Sequence, residues 1–245
     1  MVNGEGVPLV EYQAQLAQLE AADEKTGTTR TPEERQQVVL DELINQTLMA
    51  QVAREGGFEL DEAGLTERMD AFAAQSGGQP ALDEWITANG YTEEIFRSAL
   101  RRSVASAWQR DVVINTIPDS AEQVRAQQIL VRTAETAEQL HSQLEGGADF
   151  ATLAVQYDPI TGGMLGWFPR GYLTQPAVEE AAFALKAGEF SPVIETDFGY
   201  HIVYILEREN DKILSVDARI TLQHKVLSAW LESLRESSTI EILLP

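Results

Sequence analysis

Residues 197–201 read "DFGYH" and place one of only three histidines of this 245-residue chain directly before the apolar run "IVYILE". An imidazole at the mouth of a buried strand can transfer protons in catalysis, or it can be a hydrogen-bonded core side chain. The chain has no cysteine, which excludes disulfides, thiolate metal sites and a cysteine nucleophile. No cluster of carboxylates or histidines has metal-ligand spacing, so the sequence predicts no cofactor. The role of His201 therefore depends on what the fold places opposite it.

The glycine-rich segment "GGMLG" at residues 162–166 is the other local pattern that could do chemistry. It lacks the Lys-Ser/Thr pair that follows the glycines of a phosphate-binding loop, so nucleotide binding is disfavoured. We interpret the segment as a turn that leads into a short strand. The remaining histidines, His141 and His224, fall on the surfaces of predicted helices, where we expect them to be solvated.

Composition narrows the possible partners. The chain carries 39 acidic and 18 basic residues, for a formal net charge of −21. Such a surface repels phosphate backbones and anionic lipid headgroups, so we expect no binding to nucleic acid or to membrane surfaces. No apolar run approaches the roughly 20 residues of a membrane helix, and no signal peptide is visible. The abrupt start "MVNGEGVPLVEYQ" is what a chain trimmed of an upstream export segment would show, although a native cytoplasmic start would look the same.

The first half of the chain is predicted to be helical. After a short strand that Gly6 interrupts, residues 11–115 read almost entirely as amphipathic helix. "TPEER" is a strong helix start, because Thr31 can cap, Pro32 fits the first helical position and Glu34 completes a capping box. This half contains no histidine and no ligand cluster, which favours a scaffold or a binding surface.

The pattern changes after the turn cluster "NTIPDSAEQ". From there the periodicities alternate in the order βααβαββ, which predicts a small α+β domain with a mostly antiparallel sheet. A further amphipathic helix, "ARITLQHKVLSAWLESLRE", and a terminal strand, "TIEILL", cannot bury their apolar faces alone. We therefore predict that the C-terminus, residues 216–245, packs back on the helical domain of residues 1–118, with the α+β domain of residues 119–211 inserted between them.

Four segments in this second half carry a family resemblance: "AQQILV", "GADFATLAVQY", "GGMLGWFPRGYL" and "EEAAFALKAGEFSPVIETDFGYHIVYI". Together, from about Ala126 to Glu207, they resemble a parvulin-type peptidyl-prolyl cis-trans isomerase domain. The flanking helices, the opening "VNGEGVPLVEYQ" and the closing "WLESLRESSTIEIL" are similar to the chaperone portion of extracytoplasmic foldases of the SurA and PrsA type. The resemblance implies a bacterial folding factor outside the cytoplasm, with unfolded or nascent polypeptides and proline-containing peptides as partners, and membrane attachment only through a removed upstream anchor.

The resemblance also implies a site. Parvulins place two hydrogen-bonded histidines on adjacent central strands, with a threonine before the second and a leucine, a methionine and a phenylalanine around the proline pocket. His201 takes the position of the second histidine and Thr196 that of the threonine. The pocket positions fall on Leu165, Leu173 and Val178, and we add two aromatic residues to the predicted substrate-binding set, Trp167 and Phe183.

Two departures from the family pattern concern activity. Gln128 of "AQQILV" stands where the family has its first histidine, and the loop at residues 158–162 is several residues shorter than usual. Gln128 can donate a hydrogen bond to His201, but it cannot carry the charge of an imidazole. The family's cysteine or aspartate falls on Asp158 or Ile160, and Asp158 either rims the site or simply starts a turn.

Rotation about an Xaa-Pro amide has a barrier of about 18–20 kcal/mol and breaks no bond. An enzyme for this reaction needs an apolar cup for the proline ring and a few polar groups that favour the twisted amide. Two hypotheses follow: a working isomerase with reduced activity, or a non-catalytic chaperone whose parvulin-like domain only binds peptide or acts as a spacer. The intact pocket leucines, Thr196 and His201 favour the first, and Gln128 and the short loop favour the second. A scaffold with neither activity is a third possibility that the sequence leaves open.

Overall fold

The protein is described by a computed structural model that covers residues 1–243. The chain divides into two compact units. The helical unit comprises Met1–Asn115 and Val226–Pro245, and the sheet unit comprises Thr116–Lys225. The predicted α+β class, with an inserted domain and a C-terminal helix that returns to the helical part, is confirmed. The assignment of residues 1–118, 119–211 and 216–245 to client-binding and isomerase domains stays a prediction.

Five helices make up most of the helical unit, and they are α1 Leu9–Thr26, α2 Pro32–Glu55, α3 Glu62–Ser76, α4 Gln79–Ala88 and α5 Glu93–Ile114. The predicted capping box is present at the start of α2. Thr31 Oγ1 accepts from the Glu34 backbone N–H at 3.2 Å, and a Glu34 carboxylate oxygen accepts from the Thr31 N–H at 2.7 Å. The packing of α2 on α5 is close because the side chains between them are small, with Ala50 and Ala53 fully buried.

The ends of the chain meet within this unit. Leu234 and Ile240 pack against a buried cluster of Val2, Ile44 and Leu48. The predicted terminal strand over residues 239–244 is wrong for the part that the structure describes, where only Ile240 forms a single bridge, with Val2; Leu244 lies outside the described residues. The short strand predicted before α1 is likewise reduced to isolated bridges at Val2 and Glu5.

A buried ion pair joins α1 to α5. The guanidinium of Arg102 donates to the carboxylate of Glu11, and the two side chains are only 4% and 3% exposed. Burial, together with the Glu11 charge, raises the pKa of Tyr91 to about 12. Charged groups are rarely buried unless they are paired, so this contact fixes how the two helices meet.

The sheet unit has the predicted order of elements, with bounds β1 Ser120–Val131, α6 Ala134–Glu145, α7 Phe150–Tyr157, β2 Met164–Pro169, α8 Pro176–Ala184, β3 Ile194–Thr196 and β4 Gly199–Ile213. Helix α9, Val216–Glu236, follows and contains the division between the units. The sheet is antiparallel in the order β2-β1-β4-β3, so β1 and β4 are central. Strand β4 runs further than expected, because its end pairs with the start of β1 at Ser120 and Ile213.

The sheet has a hydrophobic core on each face, because the side chains of each strand alternate between the two faces. Ile129 and Ile202 face α6 and α7, in a cluster that includes Leu140 and Phe150. On the opposite face Val203 and its neighbours pack against α8. Because successive strand residues point to opposite faces, Gln128 and His201 share the α8 face.

Candidate functional site

The predicted pair of Gln128 and His201 is in contact at the centre of the sheet. Leu130 lies opposite His201 and Gln128 opposite Val203, so the two side chains are diagonal neighbours on one face. The Nδ1 atom of His201 is 2.9 Å from the Gln128 Oε1 atom. The Nε2 atom is 2.9 Å from the Thr196 Oγ1 atom. Both ring nitrogens therefore have partners, and the histidine is only 4% exposed.

The hydrogen-bond pattern suits a neutral imidazole. With a proton on Nδ1, His201 donates to the Gln128 carbonyl and accepts the Thr196 hydroxyl proton at Nε2. Gln128 is thus the acceptor in this arrangement, where the sequence led us to expect a donor. Burial lowers the pKa of His201 below its usual value of 6.5, because desolvation penalises the charged form. Among the residues that the structure describes, no carboxylate forms a hydrogen bond to the ring, and burial is the cause of the shift.

Two glycines hold the strands in this geometry. Gly163, at φ +72°, passes so close to β1 that a Cβ atom would lie 2.0 Å from the Gln128 carbonyl oxygen. Its own carbonyl accepts from the Gln128 N–H at 2.8 Å. Gly199, at φ +130°, would place a Cβ atom 2.4 Å from the Val131 carbonyl oxygen. Only glycine fits at both positions, so the patterns "TGG" and "DFGYH" are explained by close backbone approach as well as by chemistry.

An apolar pocket opens beside the pair. Its volume is about 200 Å³, and its walls include Gln128 and His201. The three residues that the resemblance assigned to the proline pocket, Leu165, Leu173 and Val178, all line it. The structure adds four residues that the sequence did not suggest, which are Leu130, Thr174, Gln175 and Phe198.

The loop that carries Leu173 is tied to α8. The Glu179 carboxylate accepts from the backbone N–H of Gly171 at 2.6 Å and from that of Leu173 at 2.9 Å. A carboxylate that accepts two backbone N–H groups is a strong anchor, so one wall of the pocket is held in place. Glu179 follows Val178 directly, and the same turn of α8 therefore supplies a wall and its support.

Asp158 lies beside the pair but outside this pocket. Its carboxylate accepts from the N–H groups of Ile160, Thr161 and Gly163 and from the Thr161 hydroxyl. These bonds, the Thr161 side chain first among them, hold the pKa of Asp158 below its usual 3.8. The carboxylate thus builds the short turn before β2 and lines a second pocket, of about 250 Å³, which shares Gln128 and Leu130 with the first.

The structure does not bring Trp167 and Phe183 to the pocket. Trp167 pairs with Arg125 and precedes the fully buried Phe168, so alternation turns its ring to the other face of the sheet. The Lys212 amino group lies 4.3 Å from the centroid of that ring. Phe183 is 3% exposed and belongs to the core under α8, and the pocket is lined by other residues.

Phe198 is a pocket residue that the sequence analysis missed, although its position in the sequence indicates that it is exposed. It is the second residue of "DFGYH", and a phenylalanine beside a glycine in the turn between two strands is poorly placed for burial. Its side chain is 69% exposed and lines the pocket. The exposure of Leu130 could not be predicted in this way, because the sequence of an apolar strand does not indicate which of its residues stays exposed to solvent.

This arrangement can bind an apolar ring and can offer neutral hydrogen-bonding groups to it. The walls are mostly hydrocarbon, and the polar lining consists of the carboxamides of Gln128 and Gln175, the imidazole of His201 and the hydroxyl of Thr174. Within residues 1–243, no group of three or more histidine, aspartate or glutamate side chains lies close enough together to hold a metal ion. The walls and rim of the pocket can bind an apolar ring and give electrostatic support to a twisted amide.

The comparison with known families agrees with the geometry. Residues 115–207 match the Rotamase family, described as the PPIC-type PPIase domain. The resemblance to a parvulin-type domain, read from the four sequence segments, is thus confirmed over this range.

Similar proteins are named as foldases and chaperones. The foldase protein PrsA of Geobacillus sp. (strain WCH70) is 36% identical over 126 residues, which cover 49% of this chain and 45% of the relative. The chaperone SurA of Methylobacillus flagellatus is 32% identical over 148 residues, which cover 52% of this chain and 34% of the relative. The matched regions therefore span less than half the length of either relative.

A solved structure extends the likeness to both units. The crystal structure of a peptidylprolyl isomerase (PrsA) from Bacillus cereus covers 92% of this chain and 87% of its own length, with a TM-score of 0.54 and 19% sequence identity. At that identity the likeness concerns the fold alone. The helical elements of residues 1–115 thus share the architecture of a PrsA-like protein, as the sequence pattern predicted.

Proposed function

We propose that this chain is a protein-folding factor that binds unfolded, proline-containing polypeptide segments and isomerises their Xaa-Pro bonds more slowly than a parvulin with two histidines. The observation that carries the proposal is the apolar pocket of Leu165, Leu173 and Val178 beside the neutral pair of Gln128 and His201. A proline ring needs such an apolar cup, and a twisted amide needs polar groups at its rim.

The substitution of glutamine supports reduced rather than full activity. When the amide twists, its nitrogen loses conjugation and becomes a better hydrogen-bond acceptor, while the carbonyl loses negative charge. A pair of imidazoles can redistribute a proton in response to this change, whereas the Gln128 carboxamide holds fixed donors and acceptors. We therefore expect the pair to keep its positioning role and to lose part of its electrostatic response.

The helical unit is proposed as a second client surface. An apolar groove of about 270 Å³ lies between the chain ends and helices α1 and α2, and Leu40 and Leu43 are among its lining residues. Exposed apolar surface of this kind is typical of a binding region. Location outside the cytoplasm, with bacterial foldases as relatives, is part of the same proposal. In residues 1–243 no helix is both long enough and apolar enough to cross a lipid bilayer.

The alternative is a non-catalytic chaperone in which the pocket only binds peptide. The observation that favours it is Gln128 itself, since a carboxamide cannot take up a proton in place of the imidazole and burial lowers the pKa of His201. Peptide binding is common to both candidates, and turnover separates them.

The test measures binding and turnover on the same full-length chain. The cis-trans exchange rate of a short Xaa-Pro peptide is followed by NMR exchange spectroscopy, and its affinity by chemical-shift titration. We expect saturable binding with shifts at Leu165, Leu173 and Val178, and exchange that is faster than in buffer. Leu173→Glu places a charge in the pocket and should abolish both, while Leu185→Met, in the core beside the pocket, should preserve both.

Binding without any acceleration at stoichiometric protein would exclude the isomerase and leave the chaperone alternative. Absence of binding at millimolar peptide would contradict both.

A further inference from the structure

The central strand β1 has an open edge beside the pocket. In an antiparallel pair, the backbone N–H and C=O groups of successive residues point alternately toward and away from the partner strand. Val203 exchanges hydrogen bonds with Ser191 on the β3 side, so its neighbour across the pair, Gln128, turns its N–H away from β4, toward Gly163. Leu130, two residues further along, faces the same way.

Strand β2 does not reach Leu130. It begins at Met164, which pairs with Gln127, and the chain then turns away through Gly163. The N–H and C=O of Leu130 therefore point past the start of β2, with no strand beside them. The side chain of Leu130 is 40% exposed, although Ile129 and Val131 on either side of it are 1% and 6% exposed.

A concave surface lies along this edge. The second pocket, of about 250 Å³, has its floor at Gln128, Ile129 and Leu130 and its wall at the end of α7, where Tyr157 is 45% exposed. It shares Gln128 and Leu130 with the proline pocket, so the two form one continuous surface. An unpaired strand edge is a template for another strand.

We propose that this edge is a subsite for the client segment next to the proline, which binds in extended form as an added strand with hydrogen bonds to the backbone of Leu130. The inference rests on the proposed function, since the proline pocket sets where the segment starts. The occupant is a neighbouring stretch of the same client, because the two pockets share Gln128 and Leu130 and a chain bound in one lies next to the other. In this mode of binding the hydrogen bonds are made to the peptide backbone of the client. It therefore tolerates many client sequences, as a folding factor requires.

The charge at the subsite selects among side chains. Asp158 lines it, and its hydrogen bonds keep the carboxylate ionised, while the described residues that line the two pockets include no lysine or arginine. A lysine or arginine next to the proline is therefore favoured over a glutamate. Ile160, at the tip of the Asp158 turn and 92% exposed, adds an apolar contact for the stem of such a side chain.

The direct test is amide hydrogen exchange of Leu130 in the full-length protein, read by NMR with and without a saturating Ala-Ala-Lys-Pro-Phe-Ala peptide. We expect exchange at Leu130 to slow by about tenfold or more on binding. The amide of Ile129, whose groups face β4, is the internal control and should not change.

A second arm uses peptides with one N-methyl group. The N-methyl group is moved along the peptide one residue at a time. Within two positions of the proline, one of these methylations should abolish the protection of Leu130 and weaken binding, because it removes the N–H that bonds to Leu130. Methylation further away should do neither. A peptide that binds the proline pocket but leaves Leu130 exchange unchanged would overturn the subsite and leave the proposed function intact. A peptide that does not bind at all would overturn both.

The preference for lysine over glutamate next to the proline is tested with two matched variants. Asp158→Asn should reduce the preference for the lysine peptide over its glutamate counterpart by about threefold, the scale of an exposed ion pair. Asp149→Asn is the control, because Asp149 also organises a turn by accepting from a threonine, at the start of α7 and outside both pockets. Equal preferences in both variants would overturn the role of Asp158.

Discussion

The helical unit and the sheet unit each bury a hydrogen-bonded pair of polar side chains, and the two pairs differ in charge. The helical unit encloses a full ion pair, Glu11 and Arg102, between α1 and α5. The sheet unit encloses an uncharged pair, Gln128 and His201, between β1 and β4. Their surroundings also differ, since the ion pair is closed in on all sides while the neutral pair forms the wall of an open pocket.

The difference between the two pairs distinguishes a group that stabilises the fold from a group that can bind a ligand. A buried ion pair loses the hydration of both charges, and an arrangement of the helices that separated the two would leave each charge buried without a partner. The neutral pair costs less to bury and leaves its polar edge available to a ligand. We therefore assign the buried pair of the helical unit to holding its helices, and the buried pair of the sheet unit to the site.

Breaking the ion pair should have the largest effect on stability. Glu11→Gln leaves Arg102 as a buried charge without a counter-ion, and we expect a loss of about 3–5 kcal/mol. The matched control is Glu62→Gln, an exposed carboxylate bonded to Arg97 and Arg101, for which we expect no measurable loss. Hydrogen exchange of the α2 and α5 amides reports on this unit directly. Equal and small effects would contradict the enclosed pair.

The next effect should come from a glycine of the site. Gly163→Ala and Gly27→Ala have nearly the same backbone angle, φ +72° and +71°, but only the first would place a Cβ atom against another strand. The angle alone costs about 1–2 kcal/mol. We expect that loss at Gly27 and about 3 kcal/mol or more at Gly163, measured by urea unfolding. Similar losses at the two positions would contradict the close approach of residue 163 to Gln128.

A smaller effect should appear in the pH dependence of stability. The unfolded chain protonates His201 near 6.5, whereas burial lowers the pKa in the folded chain. Between those two values the unfolded state binds the extra proton, so this contribution is complete above pH 6.5 and is lost as the pH falls toward the folded value. His201→Gln should therefore flatten the fall of the unfolding free energy below pH 6.5. An unchanged fall in the His201→Gln variant would contradict the effect of burial on the pKa of His201.

Much of the sheet unit was predictable because its signals are local or shared with a family. Glycine turns, strand periods and the four parvulin-like segments were sufficient for the order βααβαββ and for the contact of Gln128 with His201. The resemblance also identified Leu165, Leu173 and Val178, since the pocket positions keep their order along the chain. The position of Trp167 was hidden because a register shift in β1, between Ala126 and Gln127, decides which β2 residues face the pocket. That of Phe183 was hidden because an apolar residue of α8 can serve the core or the pocket equally well, and here it lies in the core.

The helical unit was predictable in its elements and not in its contacts. Caps at Thr31, Asp61 and Thr92 mark helix starts from sequence alone, and all three accept the expected backbone N–H. The pairing of Glu11 with Arg102 joins residues 91 positions apart, and neither residue differs in sequence from a solvated charge. The open edge at Leu130 was hidden for a related reason, since it depends on where a different strand begins.

The measurement that tests the central claim most directly compares Gln128→His with the native chain in the cis-trans exchange of one Xaa-Pro peptide. The account holds that the fold and the pocket are intact and that the glutamine limits turnover. It predicts that both proteins bind the peptide with similar affinity and that Gln128→His accelerates exchange by about tenfold or more over the native chain. Equal exchange rates with equal affinities would contradict the account, because the residue beside His201 would then not set the activity of the site.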